Sequence, residues 1–204
     1  MSFVNIVKSK PIFKKLAHAM LIPRNQHRPR LWVRIFLNPF FHKLGKGSII
    51  RRRTRLDVFP YNKFVLGNKS IIEEFSTVNN GVGDVLIGHG SIVGIGNVII
   101  GPATIGSNVM LAQNVVVSGL NHGYEDVTMS PTIQKVKCKH IMISDDVWIG
   151  ANCVLTAGIT IGKHTVIGAG SVVTKDLPGF CVAVGNPARV IKKYNFEKSQ
   201  WEKA

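Results

Sequence analysis

The sequence has few of the features that mark secreted or membrane-spanning proteins. Only three of its 204 residues are cysteines and none forms a CxxC pair, so we expect no disulfide scaffold and favour a reducing cytoplasm. No run approaches the roughly 18 consecutive apolar residues of a membrane-spanning helix. Lys8 and Lys10 are followed by mixed sequence, without a clean apolar stretch and a cleavage site. The sequence therefore predicts neither a transmembrane helix nor a signal peptide.

Acidic residues are absent from the first 56 positions. This stretch holds 14 of the 26 Lys and Arg residues, and Asp57 is the first acid, whereas the remainder of the chain is close to neutral. The net charge of +15 therefore describes an N-terminal arm and not the whole protein. The run "RRRTR" at 51–55 could meet phosphates, but no recognisable nucleic-acid module accompanies it. We expect no nucleic-acid partner.

An aliphatic residue recurs at every sixth position in two tracts. Helices repeat near 3.6 residues and strands near 2, so neither explains this period. Six residues suit a short strand plus a turn, with one side chain per segment pointing into a shared interior. A glycine often follows this aliphatic anchor, where we expect it to relieve the corner with a positive φ. The pattern predicts a parallel β-helix. The anchors are Ile87, Val93, Ile99, Ile105, Leu111 and Val117, then Ile143, Ile149, Leu155, Ile161, Ile167 and Val173.

The rhythm stops between Val117 and Ile143. These anchors lie 26 residues apart, four hexads plus two, so the segment between them leaves the solenoid instead of forming a degenerate coil. This excursion carries His122 five residues after Val117. A histidine placed there by ordered backbone can take a proton near neutral pH, as general-base catalysis requires. The alternative is a solvent-exposed loop histidine.

The motifs after this break carry a family resemblance. "NHGYED", "PTIQ" and "DDVWIGANCVLTAGITIGKHTVIGAGSVVTKDLPGFCVAVGNPARVIKK" resemble hexapeptide-repeat acetyltransferases of the maltose/galactoside type. They resemble acetyltransferases of bacterial exopolysaccharide (colanic acid-like) biosynthesis more strongly still. The resemblance implies a left-handed β-helix, although physical rules alone favour right-handed crossovers. It also implies coils that begin near residues 44, 66, 87, 105, 143 and 161.

The same resemblance implies a function. The expected activity is acetyl-CoA-dependent O-acetylation of a sugar hydroxyl in surface polysaccharide biosynthesis, by direct transfer with His122 as the general base. The enzyme is expected to be a cytoplasmic homotrimer with active sites between subunits, acting on a saccharide or other small acceptor without a metal. Two alternatives stay open: N-acetylation of an amino sugar or other small amine, and a non-catalytic scaffold. A γ-type carbonic anhydrase is disfavoured because none of the seven histidines forms an H-x4-H pair.

Site residues follow from the resemblance, position by position. Small side chains at Ala151 and Ala169 would let the arm of CoA lie close, and cationic side chains suit its phosphates. The residues matching CoA contacts are Thr174, Lys175, Arg189 and Lys192. The residues expected to line the acceptor pocket or the active site are Asn121, Tyr124, Glu125 and Trp148. Trp148 matches a family position that lines the acetyl-donor site, and the alternative is ordinary packing at a coil corner.

Three questions about the site are left open by the sequence. Either Glu125 or Asp126 could orient the His122 imidazole. An acyl-cysteine route through Cys138, which lies between lysines, is a less favoured mechanism. The family also uses an asparagine near the acceptor pocket, and spacing does not choose among Asn79, Asn80 and Asn97.

The chain is expected to divide into three regions. Residues 1–43 are predicted to be a basic helical cap broken at its prolines, residues 44–178 a β-helix with its excursion at 118–142, and residues 179–204 a strand and basic tail. The cap could cover the open first coil. Residues 1–56 could also contact anionic lipid headgroups at the inner face of the membrane. The aromatic anchors for such a contact would be Trp32, Phe36, Phe40 and Phe41.

Overall fold

The main body of the protein is a left-handed parallel β-helix of six coils. The hexad pattern predicts the parallel β-helix, and the family resemblance implies its left hand. The computed structural model describes residues 16, 19–24 and 26–204. Each coil contributes one short strand to each of three parallel sheets, named A, B and C in the order in which the chain visits them.

The strand bounds follow the hexads. Sheet A contains β1 (Lys43–Leu44), β4 (Phe64–Leu66), β7 (Val85–Ile87), β10 (Ala103–Ile105), β15 (Ile141–Ile143) and β18 (Thr160–Ile161). Sheet B contains β2 (Ile49–Ile50), β5 (Ile71–Ile72), β8 (Ile92–Val93), β11 (Met110–Leu111), β16 (Trp148–Ile149), β19 (Val166–Ile167), β21 (Cys181–Gly185), β22 (Ala188–Asn195) and β23 (Gln200–Lys203). Sheet C contains β3 (Arg55–Asp57), β6 (Thr77–Asn79), β9 (Val98–Ile100), β12 (Val116–Ser118), β17 (Val154–Leu155) and β20 (Val172–Val173).

The core is the stack of hexad anchors. All twelve predicted anchors are at most 2% exposed. In sheet A, Ile87 pairs with Ile105 and Ile105 pairs with Ile143, so anchors lie directly above one another on successive coils. Burying one aliphatic side chain per strand in a continuous column supplies most of the hydrophobic stabilisation of such a solenoid.

The glycine after an anchor has a different role from the predicted one. Gly88 and Gly106 do not have positive φ values; a Cβ on Gly88 would lie 2.5 Å from the carbonyl carbon of Gly106 on the next coil. Close approach of two backbones therefore selects glycine there. Positive φ occurs two residues later, at positions such as Gly90 (64°) and Asn108 (56°). The expectation of positive φ directly after the anchor is wrong.

The first coil is less buried than its hexads suggest. Its strand β1 pairs with β4 on one side only, and Leu44 is 60% exposed. Ile50 and Leu56 are half-buried against the core. An end coil has no neighbouring coil beneath it, so its anchors cannot all be covered by the solenoid itself.

The N-terminal segment packs on this first coil. A π-helical turn, Val33–Leu37, runs into the α-helix α1, Asn38–Phe41. Val33 is fully buried, and Asn38 Nδ2 donates to Val58 O at 2.9 Å. The His42 ring meets the Phe64 ring edge-on at 5.8 Å.

One predicted helix break is absent. Pro39 lies in the first turn of α1, where a missing N–H has no intrahelical acceptor to satisfy. The prediction of a break at this proline is therefore wrong. Predicted helices before residue 16 lie outside the described residues. Among the residues described, no helix is both long and apolar enough to cross a membrane.

The C-terminal region is more ordered than a basic tail. After a turn at residues 185–187, β22 pairs antiparallel with β21, and β23 pairs antiparallel with β22. The Tyr194 and Trp201 rings pack at 5.4 Å, and Phe196 contacts Phe180 at 4.9 Å. These aromatic contacts explain why the lysine-rich segment forms strands, so the prediction of a tail is wrong.

Candidate active site

The excursion begins and ends as a two-stranded antiparallel ladder. Strand β13 (Leu120–Asn121) pairs with β14 (Lys137–Cys138). Lys139 N donates to Gly119 O at 2.9 Å. A Cβ on Gly119 would lie 2.7 Å from Pro102 O, so the excursion leaves the solenoid through a tight backbone contact. His122 is the first residue after β13 and is exposed.

The tip of the excursion is held by Gln134, a residue that sequence reasoning did not single out. Its Nε2 donates to Asp126 O at 2.8 Å and to Met129 O at 2.9 Å. Its Oε1 accepts from Asp126 N at 3.3 Å. The only signal in the sequence is that Gln134 ends the "PTIQ" motif. The amide bridges both arms of the excursion and so fixes the backbone between Asp126 and Met129.

The two neighbouring carboxylates also stabilise the excursion. Glu125 pairs with the Lys137 ammonium and accepts from Tyr124 N at 3.1 Å. The hydrogen bond from Lys137 is the main cause that lowers the pKa of Glu125 to about 2. Asp126 accepts from the Thr128 side chain at 2.6 Å and from Thr128 N at 2.9 Å, which lowers its pKa.

Neither carboxylate serves the predicted orienting role within one chain. In the described residues, neither Glu125 nor Asp126 forms a hydrogen bond with His122. Asn121 is held by the β13–β14 pairing opposite Lys137, and Tyr124 is exposed. Glu125 is therefore better assigned to bracing the excursion than to holding the imidazole.

Thr174 and Lys175 lie on the same edge of the solenoid as the excursion. The excursion leaves β12 at the turn from sheet C to sheet A, and Thr174 and Lys175 begin the corresponding turn after β20. Thr156, on the coil between them, donates from its backbone N to Val173 O at 3.1 Å. Both Thr174 and Lys175 are exposed.

Trp148, Arg189 and Lys192 lie on the outer face of sheet B. Trp148 is half exposed, and the ladder runs from it through Val166 and Val182 to Lys192. Arg189 pairs with Val184, which lies on the same face of its strand as Val182. Directly opposed residues in a ladder share a face, so the indole and both cations point outward from one sheet.

Ala151 and Ala169 occupy equivalent turns between sheets B and C on successive coils. Gly170 N donates to Ala151 O at 2.8 Å. A Cβ on Gly150 would lie 2.6 Å from Ala169 N. The close stacking leaves a shallow, small-residue edge beside the sheet that holds Trp148.

Trp148 belongs to a longer apolar row, which we name the sheet-B stripe. One outward residue from each of seven successive parallel strands contributes to it, and large exposed apolar surfaces of this kind mark interaction sites. The stripe consists of Ile49, Ile71, Ile92, Met110, Trp148, Val166 and Val182.

A single chain does not bring the predicted residues together. In a coil with three sides, the edge between sheets C and A lies opposite sheet B. His122, Thr174 and Lys175 therefore lie on one side of the solenoid, and Trp148 and Arg189 on the other. A single groove holding Lys175, Arg189 and Lys192 is not present within one chain.

Two of the three candidate asparagines are structural. Asn80 and Asn97 are fully buried. Asn80 Oδ1 accepts from Phe59 N at 2.7 Å, and Asn97 Oδ1 accepts from Val115 N. Asn79 is half-buried, and its Oδ1 accepts from Gly81 N at 2.7 Å. Across the described part of the chain, no group of three or more His, Cys, Asp or Glu residues could hold a metal ion.

Comparisons with known proteins agree with this architecture. The family model "Bacterial transferase hexapeptide (six repeats)" matches residues 140–175. The maltose O-acetyltransferase of Clostridium difficile 630 is 31% identical, with a TM-score of 0.55, over 93% of this chain and 88% of that one. The chain belongs to the hexapeptide-repeat acyltransferase family.

Other relatives of this hexapeptide-repeat acyltransferase match over less of their length or at lower sequence identity. The putative lipopolysaccharide biosynthesis O-acetyl transferase WbbJ of Escherichia coli K12 is 38% identical over 108 residues, which are 50% of this chain and 55% of WbbJ. The chain spans about half the length of the first curated relatives it matches. AntD, an N-acyltransferase from Bacillus cereus solved with coenzyme A, shares the fold at 21% identity (TM-score 0.68, 81% of this chain, 91% of that one).

Proposed function

We propose that this protein is an acetyl-CoA-dependent O-acetyltransferase that acts on a sugar hydroxyl in surface polysaccharide biosynthesis. The observation that carries the proposal is the braced excursion, which holds His122 away from the solenoid at the end of β13. The names of the relatives at 31% and 38% identity support sugar O-acetylation. We also propose that the reaction takes place in the cytoplasm, where acetyl-CoA is available.

The chemistry is direct transfer. The His122 imidazole takes the proton of the acceptor hydroxyl as that oxygen attacks the thioester carbonyl carbon of acetyl-CoA. The carbon–sulfur bond then breaks, and the CoA sulfur takes the proton from the imidazolium. The products are the acetyl ester and free CoA. The exposed thiol of Cys138 lies on β14, and direct transfer does not require it.

The proposed donor site uses residues from both sides of the solenoid. Lys175, Arg189 and Lys192 supply positive charge for the phosphate groups of CoA. Thr174 lies beside Lys175, and the small side chains of Ala151 and Ala169 leave room for the pantetheine arm. Asn121, Tyr124 and Trp148 border the acceptor and acetyl groups.

A homotrimer would complete this site. The sheet-B stripe of one chain would lie against the edge of its neighbour that carries His122, and a threefold axis would close the ring. Contacts between two different surfaces of identical chains close in this way when the rotation fits. The arrangement would place His122 and Lys175 of one chain beside Trp148, Ala169 and Arg189 of the next.

N-acetylation is the second candidate, because AntD, an N-acyltransferase, shares the fold. That likeness shows the fold alone at 21% identity. We therefore favour a hydroxyl acceptor. The reaction product, an ester or an amide, distinguishes O-acetylation from N-acetylation.

The test is steady-state acetyl transfer from acetyl-CoA to a panel of saccharides and amino sugars. We expect an acetyl ester that mild alkali removes, whereas an amide would resist. His122→Ala should lower kcat/KM by about 10²- to 10⁴-fold with acetyl-CoA binding unchanged, because a general base contributes that much.

The matched control is His27→Ala, since His27 is also exposed but lies outside the proposed site. It should transfer acetyl groups at the parental rate. Full activity in His122→Ala would contradict the general-base role. Transfer to amines alone would contradict the acceptor class.

A further inference from the structure

The N-terminal helical segment exposes a cluster of large apolar side chains, which we name the N-terminal patch. Val33 is fully buried against the body of the protein, whereas Phe36 is 65% and Phe40 is 85% exposed. One face of the segment is therefore packed and the other has no partner in the described chain. The patch consists of Leu31, Trp32, Ile35, Phe36, Phe40 and Phe41.

Positive charge surrounds this patch. Arg30 directly precedes the segment and Arg34 lies within it, Lys43 and Lys46 follow it in the first coil, and the turn 51–53 is three arginines. Among the described residues, Arg51 pairs with Glu73, but Arg34, Lys43, Lys46 and Arg52 have no acidic partner within 4.0 Å. A partner of this end must tolerate exposed aromatic rings and supply negative charge.

We propose that the N-terminal end of the solenoid docks on an anionic lipid bilayer surface. Aromatic and aliphatic side chains flanked by Lys and Arg match the interface of such a membrane, where rings enter the headgroup region and cations meet lipid phosphates. A nucleic acid would satisfy the cations but leave the apolar tips of Phe36 and Phe40 without a partner. A second copy would bring the same positive charges against one another.

The patch lies at one end of the solenoid. Asn38 is bonded to Val58 and His42 packs on Phe64, both near the first coils. Docking through it would therefore be end-on. The excursion leaves from the fourth coil, β12, so at a strand spacing of about 4.8 Å it begins roughly 15 Å above the first coil.

End-on docking would suit an acceptor presented at the membrane. If the chain is a threefold ring, the three ends face the same way and bind the surface together, which strengthens weak contacts. This consequence rests on the proposed function. Lipid binding by a single chain does not rest on the proposed function.

The experiment is flotation of the full chain with two kinds of vesicle, pure phosphatidylcholine and equal parts phosphatidylcholine and phosphatidylglycerol. We expect partitioning to be about tenfold or more stronger on the anionic vesicles, and to fall as salt is raised. The Phe36→Ser/Phe40→Ser pair and the Arg34→Glu/Arg52→Glu pair should each reduce it by about tenfold or more.

Two control variants carry single changes of the same chemical kind elsewhere. Val127→Ser removes an apolar side chain that is 95% exposed on the excursion, and Lys198→Glu reverses a charge in the C-terminal hairpin. Both should bind vesicles within about twofold of the parent. His122→Ala should also bind like the parent, so failure of lipid docking and failure of the proposed catalysis are distinguishable. Circular-dichroism melting confirms that each variant is folded.

Several outcomes would overturn the proposal. Equal partitioning on both vesicles, or parental partitioning of both patch variants, would contradict it. A third contrary outcome is that single-stranded DNA or inorganic phosphate competes fully with lipid for binding. If that binding is unchanged in the Phe36→Ser/Phe40→Ser variant, the N-terminal end is a general anion-binding site only. Self-association that the Phe36→Ser/Phe40→Ser change abolishes, without vesicle binding, would assign the patch to a second copy.

Discussion

Gly88 and Gly170 have different roles, although both lie in turns of the same solenoid. A Cβ on Gly88 would collide with the carbonyl carbon of Gly106 at 2.5 Å, whereas a Cβ on Gly170 would meet nothing within 4 Å. Gly170 instead has a φ of 71°, and the equivalent positions in other coils hold Asn152 and Asn114 at φ values near 60°. Sterics select the first glycine and backbone conformation selects the second.

At the residue scale, substitutions at these two glycines should differ in cost. Gly88→Ala should lower the free energy of unfolding by about 1–3 kcal/mol, because adjacent coils would have to separate. Gly170→Asn should change it by less than about 1 kcal/mol, since asparagine tolerates this conformation. Urea unfolding at constant m-value measures both. Equal costs would contradict the selection of Gly88 by close approach of adjacent coils.

At the element scale, the excursion is an addition to the solenoid and not a part of its core. The pairing of Asn121 with Lys137 holds the two arms of the excursion together. The core anchors stack on those of neighbouring coils without contribution from the excursion, as Ile143 does on Ile105. Glu125, Lys137 and Gln134 make their contacts within the excursion. The solenoid should therefore fold without the tip.

Replacing residues 122–136 by Asn-Gly tests this independence. A two-residue Asn-Gly turn suits a tight antiparallel hairpin, so we expect a folded protein whose Tm shifts by only a few degrees, about 1 kcal/mol. Acetyl transfer should be lost while CoA binding is retained. Ile133→Ser, an exposed change in the intact excursion, should remain active. An unfolded protein would contradict the independence of the solenoid from the excursion. Full acetyl transfer would contradict the catalytic role of the excursion.

At the scale of the whole molecule, the proposed site should depend on two chains. His122 and Trp148 lie on opposite sides of one solenoid. His122→Ala and Trp148→Ala should each be impaired alone. When equal amounts of the two are refolded together, random threefold assembly should leave about a quarter of the sites with both residues intact.

The measurement is specific activity of the refolded mixture against each variant refolded alone. Recovery towards about a quarter of parental activity is the expected result. A mixture of His122→Ala with His122→Gln is the matched control and should not recover. Absence of recovery in the first mixture, with trimers present by light scattering, would place the whole site within one chain.

Much of this molecule could be predicted because its repeats are local. Within each hexad, the aliphatic position predicts which side chain points inward. The 26 residues between Val117 and Ile143 are not a multiple of six, which indicates that the chain leaves the solenoid and returns to it. Other features depend on distant neighbours. Leu44 is exposed because, in the described part of the chain, β1 has a neighbouring strand on one side only. The lysine-rich C-terminus forms strands because Tyr194 packs against Trp201 across a hairpin.

The sequence alone determined the solenoid, the excursion and the position of His122, because a six-residue period and its interruption can be read directly along the chain. Only the tertiary structure decided which sides the other candidate residues occupy. Thr174 shares an edge with the excursion, whereas Trp148 and Arg189 face away from it. Three-sided winding sets that separation, since residues six apart in sequence point from different sheets.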